Sequence, residues 1–256
     1  MSKRKHRRIS RSAALYIPLS VLLIAFFMVF GISVFMKILE IEVAGVSVYS
    51  EEEIVMASGI VSGDNLLFID VDAASQGIRT TKPYISKVVI TRVPPSVLRI
   101  EVTESTPLAK IVYQDRVLII DSDCRVLKMT EDMPDGLIEV MGLSHGEPVE
   151  GIALKESQGS DIQLNALKEI LATIEKQGFE DDVLYLDVSN ISKIFLRYAG
   201  RITVMLGNPS NARQAVGKLP SVIAQIDAKS SANVTGNLDM SDSSGQWRFI
   251  EVYPNE

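Results

Sequence analysis

From Ser12 to Met36 the chain reads SAALYIPLSVLLIAFFMVFGISVFM, a segment without one charged side chain. Coiled as a helix at about 1.5 Å per residue, it would be about 37 Å long, enough to cross a hydrocarbon core of roughly 30 Å with some tilt. Pro18 falls in the first turns, where a missing N–H does least harm. Ahead of it, residues 1–11 (MSKRKHRRISR) carry Lys3, Arg4, Lys5, Arg7, Arg8 and Arg11 and no acid. A cleaved secretory signal shares the basic start, but it needs only about 7–15 apolar residues and a small-x-small cleavage site. The run here is longer and leads into SVFMKILE, which offers no such site. The sequence therefore predicts an uncleaved single-pass anchor over 12–36. Basic residues mark the cytoplasmic side, so the tail stays inside and everything from Lys37 onward lies outside.

Setting the tail apart changes the charge balance. It holds six of the 26 Lys and Arg and none of the 32 Asp and Glu, leaving 20 bases against 32 acids, a net −12. An ectodomain this acidic is repelled by nucleic acid and by anionic headgroups. The single cysteine, Cys124, cannot form an internal disulfide, so the fold must be held by its core. About 220 exported residues suit one large or two small domains.

No linker follows the membrane segment. KILEIEVAGV alternates as a strand, with Ile38, Glu40 and Glu42 opposed to Leu39, Ile41 and Val43. SEEEIVMASGI predicts a short helix: Ser50 caps it, Glu53 can return the bond, Ile54 and Ala57 face inward with Val55 as a third candidate, and Gly59 ends it. A second helix starts after Asp70 or Asp72 and ends before Pro83. Ile85–Val93 and Val97–Glu104 then form a hairpin turned by Pro94-Pro95. In its second strand Leu98, Ile100 and Val102 share one face, opposite Arg99, Glu101 and Thr103. The order is β-α-α-β-β.

From Pro107 the pattern changes. LAKIVYQDRVLIIDSDCRVLKM predicts strands separated by turns at Gln114-Asp115 and Ser122–Arg125, and residues 130–159 are read as loops and short strands. A helix from Asp161 places Leu164, Leu167, Ile170, Leu171 and Ile174 on one face and closes at Gly178. Three strands follow, with turns at Ser189-Asn190 and Ala199-Gly200. A helical region over 211–226 is expected to kink or restart at Pro220. VTGNLDMSD and GQWRFIEVY are the last strands, the final one a candidate sheet edge. The fold class is α+β, in four parts: a tail (1–11), a transmembrane helix (12–36), a membrane-proximal βααββ domain (37–106), and a mainly antiparallel β domain with two helices (107–256).

Catalytic chemistry is sparse. One exported His, His145, and one Cys cannot supply the three or four ligands of a zinc site. GLSHG (Gly142–Gly146) fits the string Gly-x-Ser-x-Gly, but that mechanism needs a strand-to-helix turn and a distant His. Here EPVEGIAL follows and the only exported His is the neighbour of Ser144. A two-carboxylate sugar hydrolase would line its cleft with aromatics, and Trp247 is the only Trp. The sequence favours no catalytic, metal or cofactor site; a membrane-anchored cell-wall-modifying enzyme is the alternative.

Four segments carry a resemblance: IEVAGVSVYSEEEI, GIVSGDNLLFID, KPYISKVVITRVPPSVLRIEVTESTPLA and RVLIIDSDCRVL. Over Ile38–Leu127 the chain resembles the FtsQ/DivIB family of bacterial cell-division proteins, with an FtsQ-type POTRA domain and the first hairpin of the β domain. Lys218-Leu219 and GNLDM (Gly236–Met240) are similar to the family's late helix and strand. The family's turn carries Gly where this chain has Cys124, which predicts a strained or reshaped turn and an exposed thiol. The resemblance implies a non-enzymatic septal scaffold. Its implied partners are membrane proteins of the FtsB/DivIC and FtsL type, extending to the septal peptidoglycan synthase. It also implies partner pairing on the distal strands, at Asp239, Trp247, Phe249, Ile250, Val252 and Tyr253, with no cofactor; the alternative is that the aromatic set of Trp247, Phe249 and Tyr253 packs on its own domain. On that reading Phe249→Asp weakens partner capture while the ectodomain stays folded.

Overall fold

The computed structural model describes residues 11–155, 161–229 and 234–252. The basic tail before Arg11 and the candidate contact Tyr253 lie outside them. The chain divides into two compact units, one holding the residues up to Ile78 together with Lys87–Thr103, the other Arg79–Ser86 together with Glu104 onward.

The first unit opens with helix α1 (Arg11–Phe35) and strand β1 (Glu40–Ala44). Among the described residues no helix is long and apolar enough to cross a membrane. Side chains within α1 are described without a break only over 18–31. Helix α2 (Glu51–Ser58) has both bonds of the predicted capping box: Glu53 N donates to Ser50 Oγ at 3.2 Å, and Ser50 N to Glu53 Oε2 at 3.0 Å. Gly59 closes it with φ +68°, the left-handed conformation that costs glycine nothing. Ile54 and Ser58 are its buried residues; Ala57, expected inside, is only half-buried. Helix α3 (Val71–Thr81) starts where Asp70 Oδ1 accepts from Ala73 N at 2.9 Å.

Strands β2 (Ile85–Val93) and β3 (Val97–Glu104) have the bounds read from the sequence. The small sheet runs β1-β3-β2, with β1 parallel to β3. Leu98, Ile100 and Val102 are buried on β3, as the alternation predicts. On the opposite face Arg99 pairs with Glu42 at 2.9 Å, directly across the register. Gly45 passes so close to β3 that a Cβ there would lie 2.0 Å from the Val102 carbonyl oxygen.

Among the described residues the second unit holds a nine-stranded sheet, two α-helices and a single 3-10 turn over Glu180–Asp182. Its strands are β4 (Ala109–Tyr113), β5 (Arg116–Ile120), β6 (Val126–Thr130), β7 (Ile138–Met141), β8 (Val183–Asp187), β9 (Ile194–Tyr198), β10 (Ile202–Gly207), β11 (Gly236–Asp239) and β12 (Arg248–Glu251). They lie in the order β12-β11-β10-β9-β8-β7-β4-β5-β6. Hairpins supply the antiparallel pairs; β4–β7, β7–β8 and β10–β11 are parallel. Two of these joins contain the helices, α4 (Ile162–Gln177) between β7 and β8 and α5 (Pro209–Lys229) between β10 and β11, as parallel neighbours require a crossover. Leu167, Leu171 and Ile174 of α4 and Val216 and Leu219 of α5 are fully buried in one core with Leu196, Ile202 and Val204 of the sheet.

Two further sequence expectations change. Pro220 neither ends nor restarts the helix, since α5 runs unbroken from Pro209 to Lys229. Proline loses one bond along the ladder, but Val216, Leu219 and Ile223 keep that stretch buried in the core. Gln177 Nε2 of α4 also donates to the Gly217 carbonyl at 2.8 Å. Cys124 does take the left-handed conformation, φ +56°, but its thiol is buried, not exposed. The turn is held by Asp121, whose Oδ1 accepts from Asp123 N at 3.0 Å and Arg125 N at 2.9 Å, and the Cys124 carbonyl accepts from Leu154 N at 2.9 Å.

Burial pushes the Cys124 thiol up to about 12. Burial and a hydrogen bond to Asp182 push the Tyr198 hydroxyl up to about 12 as well. Both groups therefore hold their protons longer folded than unfolded, so stability is full below about pH 8.5 and falls as pH rises towards 12. The urea midpoint should be level from neutral pH to about 8.5 and then decline, and Cys124 should react with a thiol reagent only once the chain unfolds. A midpoint unchanged at about pH 10.5 would contradict this.

Candidate docking edge

The sheet order leaves β6 and β12 as its two outer strands. They are treated differently. Along β6 lies the segment around residues 149–154: Val126 N donates to Ile152 O at 3.1 Å, and Gly151 N to Val126 O at 2.7 Å. Met129 N donates to Glu150 Oε1 at 2.7 Å, and Arg125 bridges to Ala153. Covering an edge in this way removes a template for strand addition. Among the described residues nothing pairs with the outer side of β12.

The register of that edge can be read from β11. Gly236 lies opposite Glu251 and Asn237 opposite Ile250, and beyond the strand Val252 N donates to Thr235 O at 2.8 Å. Antiparallel partners exchange both bonds at alternate positions. Arg248, Ile250 and Val252 thus turn their backbone groups towards β11, whereas Phe249 and Glu251 turn theirs outward.

Gly236 makes the close pairing possible, because a Cβ there would meet the Ile250 carbonyl oxygen at 2.5 Å and the Phe249 ring at 2.6 Å. Arg201 fixes the approach to β11. Its Nη2 forks onto both Asp227 oxygens at 2.9 and 2.7 Å, and its Nη1 donates to Val234 O at 3.0 Å. The ion pair joins the residue just before β10 to the end of α5.

The sequence-predicted contacts fall into groups. Trp247 and Phe249 are half-buried and pack on the domain's own core. With Val222, Ile226 and Leu238 they line an open groove of about 460 Å³ beside α5, and Lys218 Nζ stands 5.4 Å from the Trp247 ring centre. Ile250 and Val252 are exposed, at 55% and 43%. Asp239 ends β11 and bonds locally, accepting from Ser241 N at 3.0 Å and Ser241 Oγ at 2.7 Å. Phe249→Asp would therefore set a carboxylate against the core, so loss of partner capture could not be separated from loss of fold. Ile250, on the opposite face, is the better probe.

GLSHG lies in the loop after β7, and among the described residues the next helix begins at Ile162, so no described helix follows directly behind Ser144. His145 Nδ1 faces the carbonyl of its own neighbour Gly146 at 2.8 Å, and its ring lies 4.9 Å from that of Tyr113. Ser144 N is bonded by Gln163 Oε1 at 3.1 Å. The groups form a packed loop.

The family model described as POTRA domain, FtsQ-type, matches residues 36–105. Cell division protein FtsQ of Corynebacterium glutamicum is 32% identical over 111 residues, 43% of this chain and 49% of that protein. Cell division protein DivIB of Clostridium tetani is 24% identical over 197 residues, 75% of this chain and 71% of that protein. The chain thus spans about half the length of the first relative. The major extracytoplasmic domain of DivIB from Geobacillus stearothermophilus aligns at 9% identity and TM-score 0.31, covering 50% of this chain and 99% of that one, too loosely to bear on the fold. The chain thus carries a match to the FtsQ-type POTRA domain at residues 36–105, and it is similar in sequence, within and beyond that stretch, to the cell-division proteins FtsQ and DivIB.

Proposed function

We propose that this chain is a non-enzymatic, single-pass scaffold of the division septum that joins late division membrane proteins of the FtsB/DivIC and FtsL type and helps control septal peptidoglycan synthesis. Its domains are the tail (1–11), the anchor (12–36), the POTRA domain (37–106) and the distal β domain (107–256).

The observation that carries the scaffold reading is the contrast between the two outer strands of the large sheet. Residues around 149–154 cover β6, whereas β12 presents the backbone of Phe249 and Glu251 beside the exposed Ile250 and Val252. Strand addition needs unpaired backbone and alternate side chains, and no catalytic group. The placement of Ser144 and His145 in a loop with no described helix directly behind it also favours docking over hydrolysis.

The anchor reading rests on α1, continuous for 25 residues, and on the uncharged sequence from Ser12 to Met36. Apolar side chains of α1 such as Leu22, Ile24, Phe27 and Met28 are all more than half exposed, as lipid-facing positions would be. A fluorescent fusion of the full chain should gather at the septum, and its depletion should leave cells elongated and undivided. Uniform spread around the envelope, with normal division on depletion, would sink the proposal.

A further inference from the structure

Beyond β12, the loop joining α2 to α3 has a geometry that the docking reading does not use. Residues 62–66 of this loop are hydrogen-bonded to the stretch that leaves α1. Leu66 N donates to Met36 O at 2.7 Å, Ile38 N to Asp64 O at 2.8 Å, and Gly63 N to Ile38 O at 2.8 Å, while Lys37 bridges to Asn65. The turn is also fastened internally. Asn65 Oδ1 accepts from Leu67 N at 2.9 Å, and Asn65 O accepts from Phe68 N at 3.0 Å and Ile69 N at 3.2 Å. Leu66 is driven fully inside, but the next two residues point out, Leu67 at 45% and Phe68 at 74% exposure.

We infer that Leu67 and Phe68 form an apolar wedge that enters the outer leaflet of the bilayer crossed by α1, seating the POTRA domain directly on the membrane surface. The inference rests on the anchor reading above. Met36 directly follows α1, so it marks the depth at which the chain leaves the hydrocarbon. The bond from Leu66 holds the loop to that level, and two further residues add at most about 7 Å of reach. The interfacial layer on each side of a bilayer is about 5–8 Å deep, so Phe68 is confined near it. Aromatic and aliphatic side chains favour that layer, and the fastened turn spends no ordering entropy on insertion. Contact of this kind is apolar and needs no anionic headgroups, which suits an acidic ectodomain. The nearest acids are occupied: Asp64 Oδ2 accepts from Val61 N at 3.0 Å and Asp70 caps α3.

The buried Cys124 leaves introduced cysteines as the sites for a labelling reagent. Full-length Phe68→Cys and Phe26→Cys chains, each carrying an environment-sensitive NBD label, would be reconstituted into phosphatidylcholine vesicles with or without nitroxide-bearing lipids. Both labels should lose most of their emission to nitroxide lipids, position 68 to a nitroxide at headgroup level and position 26 to one deep in the acyl chains. Quenching at 26 with none at 68 would overturn the wedge and leave the anchor standing. No quenching at 26 would overturn the anchor itself.

Discussion

Gly236→Val will detach β12 from the distal sheet and abolish partner capture while leaving the POTRA domain folded. The first atom of any side chain at 236 would come 2.5 Å from the Ile250 carbonyl oxygen and 2.6 Å from the Phe249 ring, both on β12. Backbone at that distance cannot rotate aside as a side-chain tip could, so the strand must shift. Overpacking of this kind costs about 3 kcal/mol. Because β12 is an outer strand, much of that cost can be escaped by releasing it. The expected signature is therefore a fall of up to about 10 °C in the melting temperature of the distal domain. Rapid amide exchange across β11 and β12 and a new protease site near Trp247 should accompany it. An unchanged melt with undiminished capture would show that β12 does not lie against Gly236.

A subtler substitution separates the strand's presence from its availability. Glu251→Pro removes an N–H that points to the open side, and proline is tolerated on outer strands in that orientation. The pairing of Ile250 with Asn237 and of Val252 with Thr235 is untouched, so the domain should melt within about 2 °C of the parent. A partner strand, by contrast, would lose a backbone bond and meet the pyrrolidine ring. At about 1 kcal/mol for the bond and more for the obstructed approach, binding should weaken at least about tenfold. Ile250→Asp should have a similar effect through lost apolar contact, again without unfolding. If Glu251→Pro binds as tightly as the parent, β12 is not the site of strand addition.

The sequence was most legible where structure is local. Ser50 and Glu53 lie three residues apart, and Pro94-Pro95 with its flanking alternation defines a hairpin within twenty residues. Cys124 was legible in its backbone and misread in its environment: the left-handed turn followed from family likeness, whereas its thiol is buried in a core assembled from residues far along the chain, Leu154 among them. Pro220 shows the same limit, since local propensity allows a restart there, whereas α5, packed on the sheet, runs on through it. The order of the nine strands was not legible, because β7 reaches β4 and β8, and β10 reaches β11, by parallel pairing across long connections. GQWRFIEVY was legible as an outer strand of the sheet, but the register was needed to divide its side chains. Trp247 and Phe249 turn inward, and Ile250 and Val252 turn out.

The central claim, that β12 is where a division partner adds its strand, can be tested by photo-crosslinking in growing cells. A photoreactive residue would replace Ile250 in the full-length chain, and a second chain would carry it at Lys128 on the covered β6. Position 250 should yield an adduct containing another single-pass division protein, formed only in dividing cells, and position 128 should yield no such adduct. An adduct from 128 with none from 250 would contradict the claim.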